Sequence, residues 1–281
     1  MVEANRVILV PTFHSMPRVC VYCGRSGSKI TREHLWPSAL HSRLQVARDQ
    51  RQNHFWSARE RQKDIQSEPT IRDVCDKCNN GPLSELDAYI CALWDTQFKA
   101  IRARGESVVF TYDYKLLTRW LLKLCFNSSR IHKNDHFVYA DYVNYILKGG
   151  PHIGQFCVFL QIVPPGSIPI RDIPKMPSGV PRVYKPHAHR IGFYWFRDPP
   201  LNQKLLRAVH LRSFSFFIAF FRECEPVEEI DFFIERFSFR RPETQILSPN
   251  TAVVTITCDG IDAWQSFRAS RTELTFGTMP D

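Results

Sequence analysis

Apolar residues recur every three or four positions in some stretches of the chain and crowd together in others. "KLLTRWLLKLCFN", residues 115–127, sets Leu117, Trp120, Leu121 and Leu124 at helical spacing and predicts an amphipathic helix. "YADYVNYILKGG" predicts a second helix, stopped by Gly149 and Gly150. "GESVVFTYDY", residues 105–114, reads as a turn and a short strand. Further on the texture is β. "QFCVFLQIV", "RIGFYWF", "SFFIAFFR", "IDFFIERF" and "AVVTITC" are dense in aromatic and β-branched residues and are predicted strands. Residues 164–181 hold six prolines and predict a loop or long connection. The order predicts an α+β protein: an N-terminal module over residues 1–107, then a mixed helix-plus-antiparallel-sheet domain over residues 108–281.

The apolar runs are short. "RVILVP" near the start is too short for a signal-peptide core and is cut by Pro11. "FSFFIAFF", residues 214–221, is too short to span a bilayer and ends at Arg222, so it reads as a buried strand. The expectation is a cytoplasmic chain with no membrane partner and with reduced thiols. Nine cysteines, an odd number, then argue for metal rather than disulfides. Cys20 and Cys23 ("CVYCG") form one C-x-x-C pair, and Cys75 and Cys78 ("CDKCN") form another. Two such knuckles suit a tetrahedral four-cysteine zinc site, and Gly24 fits the first turn. Residues 24–74 separate the pairs. Closing a longer loop costs only about 0.6 kcal/mol per doubling, whereas structural zinc contributes roughly ten kcal/mol or more in small peptides. Cys91, Cys125, Cys157, Cys224 and Cys258 are scattered and read as core residues.

Charge adds a partner. With 37 Lys and Arg against 28 Asp and Glu the chain carries +9, which favours an anion, nucleic acid first. Ten of the basic residues lie between Arg18 and Lys63 against three acids, a local +7. Arg32, Arg43, Arg48, Arg51, Arg59, Arg61 and Lys63 are the candidates for holding backbone phosphates. His54, Phe55 and Trp56 are candidates for stacking on bases, or for burial against the zinc module. "HAHR" puts His187 and His189 on one face of a strand, as an edge surface or a second metal site.

Between the knuckles lies "KITREHLWPSAL", residues 29–40, with Glu33 and His34 adjacent. Neighbouring side chains on a strand face opposite ways, and at a strand end one can serve a metal and the other a water. The order C-x-x-C, then E-H-x-x-P, then C-x-x-C-N resembles the HNH endonucleases, the ββα-metal or His-Me finger family. It is most similar to the four-cysteine subgroup whose second knuckle reads C-x-x-C-N-x-G and runs into a helix with an acidic residue. The resemblance covers about residues 18–90.

The resemblance implies a zinc-stabilised ββα-metal module at the N-terminus. It implies that His34 is the general base and that Glu33 and Asn79 hold a divalent ion. An amide oxygen suits Mg²⁺ or Mn²⁺. Asn80 is the spare ligand, or a cap for a helix beginning near Pro82. Asp87 matches the subgroup's acidic position, beside the metal site rather than on it. The family's middle asparagine, which braces the loop holding the histidine, is missing from "EPTIRDVC", where Thr70 and Asp73 are the nearest substitutes.

The expected chemistry is hydrolysis of phosphodiester bonds, DNA before RNA. His34 takes a proton from water, the catalytic ion stabilises the phosphate and the leaving oxygen, and the zinc is structural. The family's association with restriction and phage defence is the expected setting. The C-terminal domain is assigned substrate recognition, a protein partner or a second protomer. The alternative is a non-catalytic zinc protein that binds nucleic acid, pointed to by the missing asparagine. A zinc nucleobase deaminase is disfavoured, since that chemistry wants H-x-E before P-C-x-x-C and four cysteines leave zinc no open position.

Overall fold

The structure is a computed structural model that describes residues 18–45, 55–57, 63–65, 69–133, 135–150, 155–171, 183–194, 196, 197, 199 and 201–276. Its first strand, β1 (Ile30–His34), leads into α1 (Ser38–Gln45). Two short strands follow, β2 (Phe55–Ser57) and β3 (Lys63–Ile65). β4 (Thr70–Cys75) then returns antiparallel to β1, with Ile30 opposite Cys75 and His34 opposite Thr70. A helical run continues directly: α2 (Asp76–Cys78), a wide turn over Asn79–Leu83, α3 (Ser84–Leu93) and a second wide turn over Trp94–Phe98. Pro82 has no N–H to donate and Gly81 leaves the helical region, at φ −106° and ψ −112°, so the ladder widens there. The helix therefore starts at Asp76, ahead of the position expected from Pro82. No N-cap in this run uses a side-chain hydrogen bond, so neither Asn79 nor Asn80 acts as the cap.

After β5 (Ser107–Thr111) comes α4 (Tyr114–His132), capped by the Asp113 carboxylate, which accepts from the Leu116 N–H. A 3-10 segment over His136–Tyr142 leads to α5 (Val143–Lys148), which Gly149 ends at φ 62°. Then follow β6 (Gln155–Ile162), β7 (Gly166–Ser167), β8 (Val183–Tyr184), β9 (His189–Tyr194), β10 (Leu205–Leu211) and β11 (Phe214–Phe221). The described chain closes with α6 (Val227–Arg240), β12 (Gln245–Ile246), β13 (Val253–Thr257), α7 (Ala263–Ala269) and β14 (Ser270–Phe276).

Antiparallel pairing joins the long strands into one sheet, in the order β12-β6-β11-β10-β9-β14-β2-β3. β5 and β13 form a separate pair. β11 explains its own composition. Phe214, Phe216, Ile218 and Phe220 face a core that also holds residues of α3 and α4. Phe217, Ala219 and Phe221 face the other way, against Phe233 and Phe237 of α6. A strand covered on both faces reads as an unbroken apolar run. The larger core extends from Cys20 to Cys258, and β2 and β3, which lie between the knuckles in sequence, extend the sheet through β14.

"IDFFIERF" is not a strand but part of α6. Ile230, Phe233, Ile234 and Phe237 recur at i, i+3, i+4 and i+7 and pack on the sheet, while Phe232 and Phe239 are exposed. Aromatic content suggested β, but the spacing is helical. Among the described residues, no helix is long and apolar enough to cross a membrane.

Candidate metal centre and the adjoining hairpin

The first knuckle is a tight turn in which the Gly24 N–H donates to the Cys20 carbonyl at 2.8 Å. Gly24 sits at φ 69°, where a side chain would be strained. The second knuckle straddles the junction of β4 and α2: Cys75 ends the strand and Cys78 lies in the first helical turn. The Val21 N–H donates to the Asp73 carbonyl at 2.9 Å and ties the two turns together. All four Sγ atoms lie within 4.8 Å of one another, and Cys23 and Cys75 are 3.7 Å apart. A tetrahedral zinc with bonds of about 2.3 Å needs sulfurs roughly 3.8 Å apart, so the donor set fits that ion.

The thiols are not equivalent. Burial opposes the Cys20 thiolate, but N–H donors, led by Cys75 at 3.3 Å, outweigh it and hold the group down to about 7. Burial pushes Cys75 and Cys78 up. Zinc needs thiolates, so loading this cluster releases protons. Among the described residues, no other group of three or more His, Cys, Asp or Glu side chains gathers this way. Cys91, Cys125, Cys157 and Cys258 are buried, as expected of core residues. Cys224 is exposed: it lies between Glu223 and Glu225 in the turn after β11, so the core assignment fails there.

Along β1 the side chains alternate, with a bulge between Thr31 and Glu33. Glu33 turns inward and is 2 % exposed, whereas His34 is exposed. The Glu33 Oε1 lies 2.8 Å from the Lys123 ammonium and accepts from Asn127 Nδ2 at 3.1 Å. Lys123 also donates to both Asp87 oxygens at 2.7 Å, and Trp120 Nε1 donates to Asp87 at 3.2 Å. Burial works against the Lys123 charge, but Asp87 and Glu33 outweigh it and raise the ammonium's pKa. Glu33 and Asp87 are thus brought to one buried cation on α4.

Asn79 reaches the same strand from the helical run. Its Nδ2 donates to Thr31 Oγ1 and to the Arg32 carbonyl, both at 2.9 Å. Those bonds use both amide hydrogens, and among the described residues no donor reaches its carbonyl oxygen. Asn80 is exposed. Asn79 is therefore fixed one to three residues before Glu33 and His34.

Asn127, on α4, is the residue that sequence reasoning missed. Its Nδ2 bonds Glu33 and also donates to the His34 carbonyl at 3.4 Å. Its Oδ1 accepts from the Tyr22 hydroxyl at 2.8 Å and from Arg130. Arg130 in turn donates to both oxygens of Asp73 at 2.7 Å. One side chain thus links the first knuckle, the end of β1 and, through Arg130, β4. The signal was present in the sequence: Lys123, Asn127 and Arg130 recur at i, i+4 and i+7 on a helix whose other positions are largely apolar.

The basic candidates divide. Arg32 is exposed. Arg43 Nε donates to both Asp95 oxygens at 2.9 Å. Arg48, Arg51, Arg59, Arg61 and His54 lie outside the described residues, as do the side chains of Lys63, Phe55 and Trp56, which are placed only as backbone in β3 and β2. The histidines of "HAHR" do not form an edge. β9 lies between β10 and β14, and His189 is fully buried, stacked on Trp36 with ring centroids 4.5 Å apart. His187 bonds Tyr184 instead, because it precedes the strand.

Fold and site together define an α+β protein with antiparallel sheets and an N-terminal four-cysteine cluster compatible with zinc. No family model matches the chain, and neither a curated protein nor a solved structure matches it.

Proposed function

We propose that the protein is a metal-dependent endonuclease, with DNA as its first substrate and His34 as general base. The observation that carries this reading is the grip of Asn79 on Thr31 and Arg32, just before the exposed His34 at the end of β1. Two antiparallel strands, a helix and a four-cysteine cluster are compatible with the frame that the motif order implies, and support the reading. An imidazole is the side chain suited to taking a proton from water at neutral pH, and His34 is assigned that role. The fixed Asn79 amide offers a hard oxygen to Mg²⁺ or Mn²⁺, ions that keep several waters and take few protein ligands. Such an ion supplies charge stabilisation at the phosphate. Glu33, held by Lys123 and Asn127, fits a positioning role better than a ligand role, because an ammonium already lies against its carboxylate.

That buried ion pair also favours a second reading, a zinc protein that binds nucleic acid without cutting it. Cleavage of plasmid, single-stranded DNA and RNA in Mg²⁺ and Mn²⁺ separates the two. The nuclease reading expects His34→Ala to lose roughly 10²–10⁴-fold in rate with binding intact. Excess Mn²⁺ should partly rescue Asn79→Ala and leave His34→Ala inactive. Binding by a wild type that cuts none of the three substrates in either metal would establish the second reading.

A further inference from the structure

Within the large sheet, positive charge is buried without a carboxylate beside it among the described residues. A cavity of about 10 Å³ is lined by Arg190 of β9, His210 of β10, Ser215 of β11 and the adjoining Arg212, with Tyr184 and Ser266 alongside. Among the described residues, no carboxylate lines it. Arg190 is 3 % exposed, and its guanidinium lies 5.5 Å from the Phe267 ring. Arg212 lies over Trp94 at 5.8 Å. Among the described residues, neither arginine has a carboxylate partner. Burial pushes Arg190 down to about 10, with only Tyr184 working the other way, so the group is still charged at neutral pH.

The hydrogen bonds run in one direction. Arg190 Nη2 donates to His210 Nε2 at 2.9 Å, so that nitrogen carries no proton. Burial, reinforced by Arg190, holds His210 well below its usual range and keeps it neutral. Its proton is then on Nδ1 and is donated to Ser215 Oγ at 2.7 Å. The Ser215 hydroxyl proton has no acceptor among the described residues, and neither does Arg190 Nη1. His210 and Ser215 are 5 % and 1 % exposed. Two arginines and a serine hydroxyl thus line one small space that no carboxylate among the described residues enters.

We propose that this cavity is a binding site for one small inorganic anion of halide size, held by Arg190, Ser215 and Arg212. A water would accept from the donors but leave the Arg190 charge uncompensated, and buried charge without a partner is strongly unfavourable; half-buried Arg212 adds a second positive charge beside it. The volume, about that of one water, suits a monatomic anion better than phosphate or a carboxylate group. The site is independent of the nuclease reading.

The test is the thermal midpoint of the full chain in sodium chloride, sodium bromide, sodium gluconate and sodium phosphate at matched ionic strength. Halide should raise it, by about 2–4 °C for each tenfold step above the dissociation constant. Ser215→Ala should weaken that response. Arg190→Met should abolish it and match or exceed the wild type in gluconate, because it removes the uncompensated charge. Crystals grown in bromide should show an anomalous peak within reach of Arg190 and Ser215. Equal midpoints for wild type in gluconate and halide would overturn the proposal, as would a full halide response in Ser215→Ala, no bromide peak, or protection by phosphate alone. Should Arg190→Met fail to fold, Ser215→Ala and the bromide map decide.

Discussion

Lys123 and Arg190 are both cations within the core, and their surroundings differ. Lys123 lies between two carboxylates, 2.8 Å from Glu33 and 2.7 Å from Asp87. Arg190 meets a neutral histidine, an aromatic ring and a cavity lined by no acid among the described residues. The four cysteines are the mirror case, three buried thiols and one half-buried that could hold a cation once they shed protons. The difference teaches where a guest is required. A cluster that closes on itself costs stability when any member is removed; a cluster of one sign depends on what is added to it.

The sharpest way to break that contrast is to withhold the guest at the knuckles. Structural zinc is worth roughly ten kcal/mol or more in small peptides, comparable to a domain's whole stability of about 5–15 kcal/mol. Strong chelation, or Cys78→Ser, is therefore expected to unfold the module around β1, β4 and α3. Loss of helical circular dichroism together with release of about one zinc per chain is the expected measurement. A metal-free preparation with an unchanged thermal midpoint would remove the cysteines from the comparison.

Next comes the closed cluster. Lys123→Met should cost about 3–5 kcal/mol, because Glu33 is left buried without its counter-ion. Pairing it with Glu33→Gln should recover much of that loss, and denaturant melts measure both. The pH dependence has a defined sign. The folded state raises the Lys123 pKa, so its contribution is complete below the unfolded value of about 10.4 and fades as pH rises through the folded value. The gap between wild type and Lys123→Met should thus be flat from neutral pH to about 10 and narrow above it. A gap that widens there would mean the ion pair is not what the substitution removed.

Much of this was legible in the chain. The two C-x-x-C pairs announced the cysteine cluster, and the spacing of Leu117, Trp120, Leu121 and Leu124 announced α4. "FSFFIAFF" read as a buried strand because both of its faces are covered. Phenylalanine is common to strands and to helix faces that pack on strands, so α6 was obscured, and only the period separates the two cases. The partners of Glu33 were hidden for another reason. Lys123 and Asn127 lie 90 and 94 residues away in sequence, and no local pattern states which strand a helix will pack against. The uncompensated charge at Arg190 was equally invisible, because it depends on which acids fold elsewhere.

Asn127 sharpens the comparison within the closed cluster, since it is the member with no charge. Asn127→Ala leaves the Tyr22 hydroxyl, Arg130 and Glu33 each short of one partner, and should cost about 1–3 kcal/mol. It also removes the donor to the His34 carbonyl. If His34 is the base, the variant should lower the cleavage rate more than nucleic-acid binding, measured at a temperature where it is folded. Equal losses in both would make Asn127 a structural residue only.

The smallest expected effect belongs to the surface, where charges are paired but solvated. Arg43 and Asp95 lie 2.9 Å apart, with side chains 35 % and 51 % exposed. Breaking such a pair typically costs about 0–1 kcal/mol, and less at high salt. Asp95→Asn should therefore leave the thermal midpoint nearly unchanged, unlike any change at Lys123. Its effect on binding should be larger, since it releases a guanidinium beside the basic segment between the knuckles. If that surface holds phosphates, nucleic-acid affinity should rise and the salt dependence should steepen by about one counter-ion. An unchanged salt slope in Asp95→Asn would place the nucleic-acid contact away from α1.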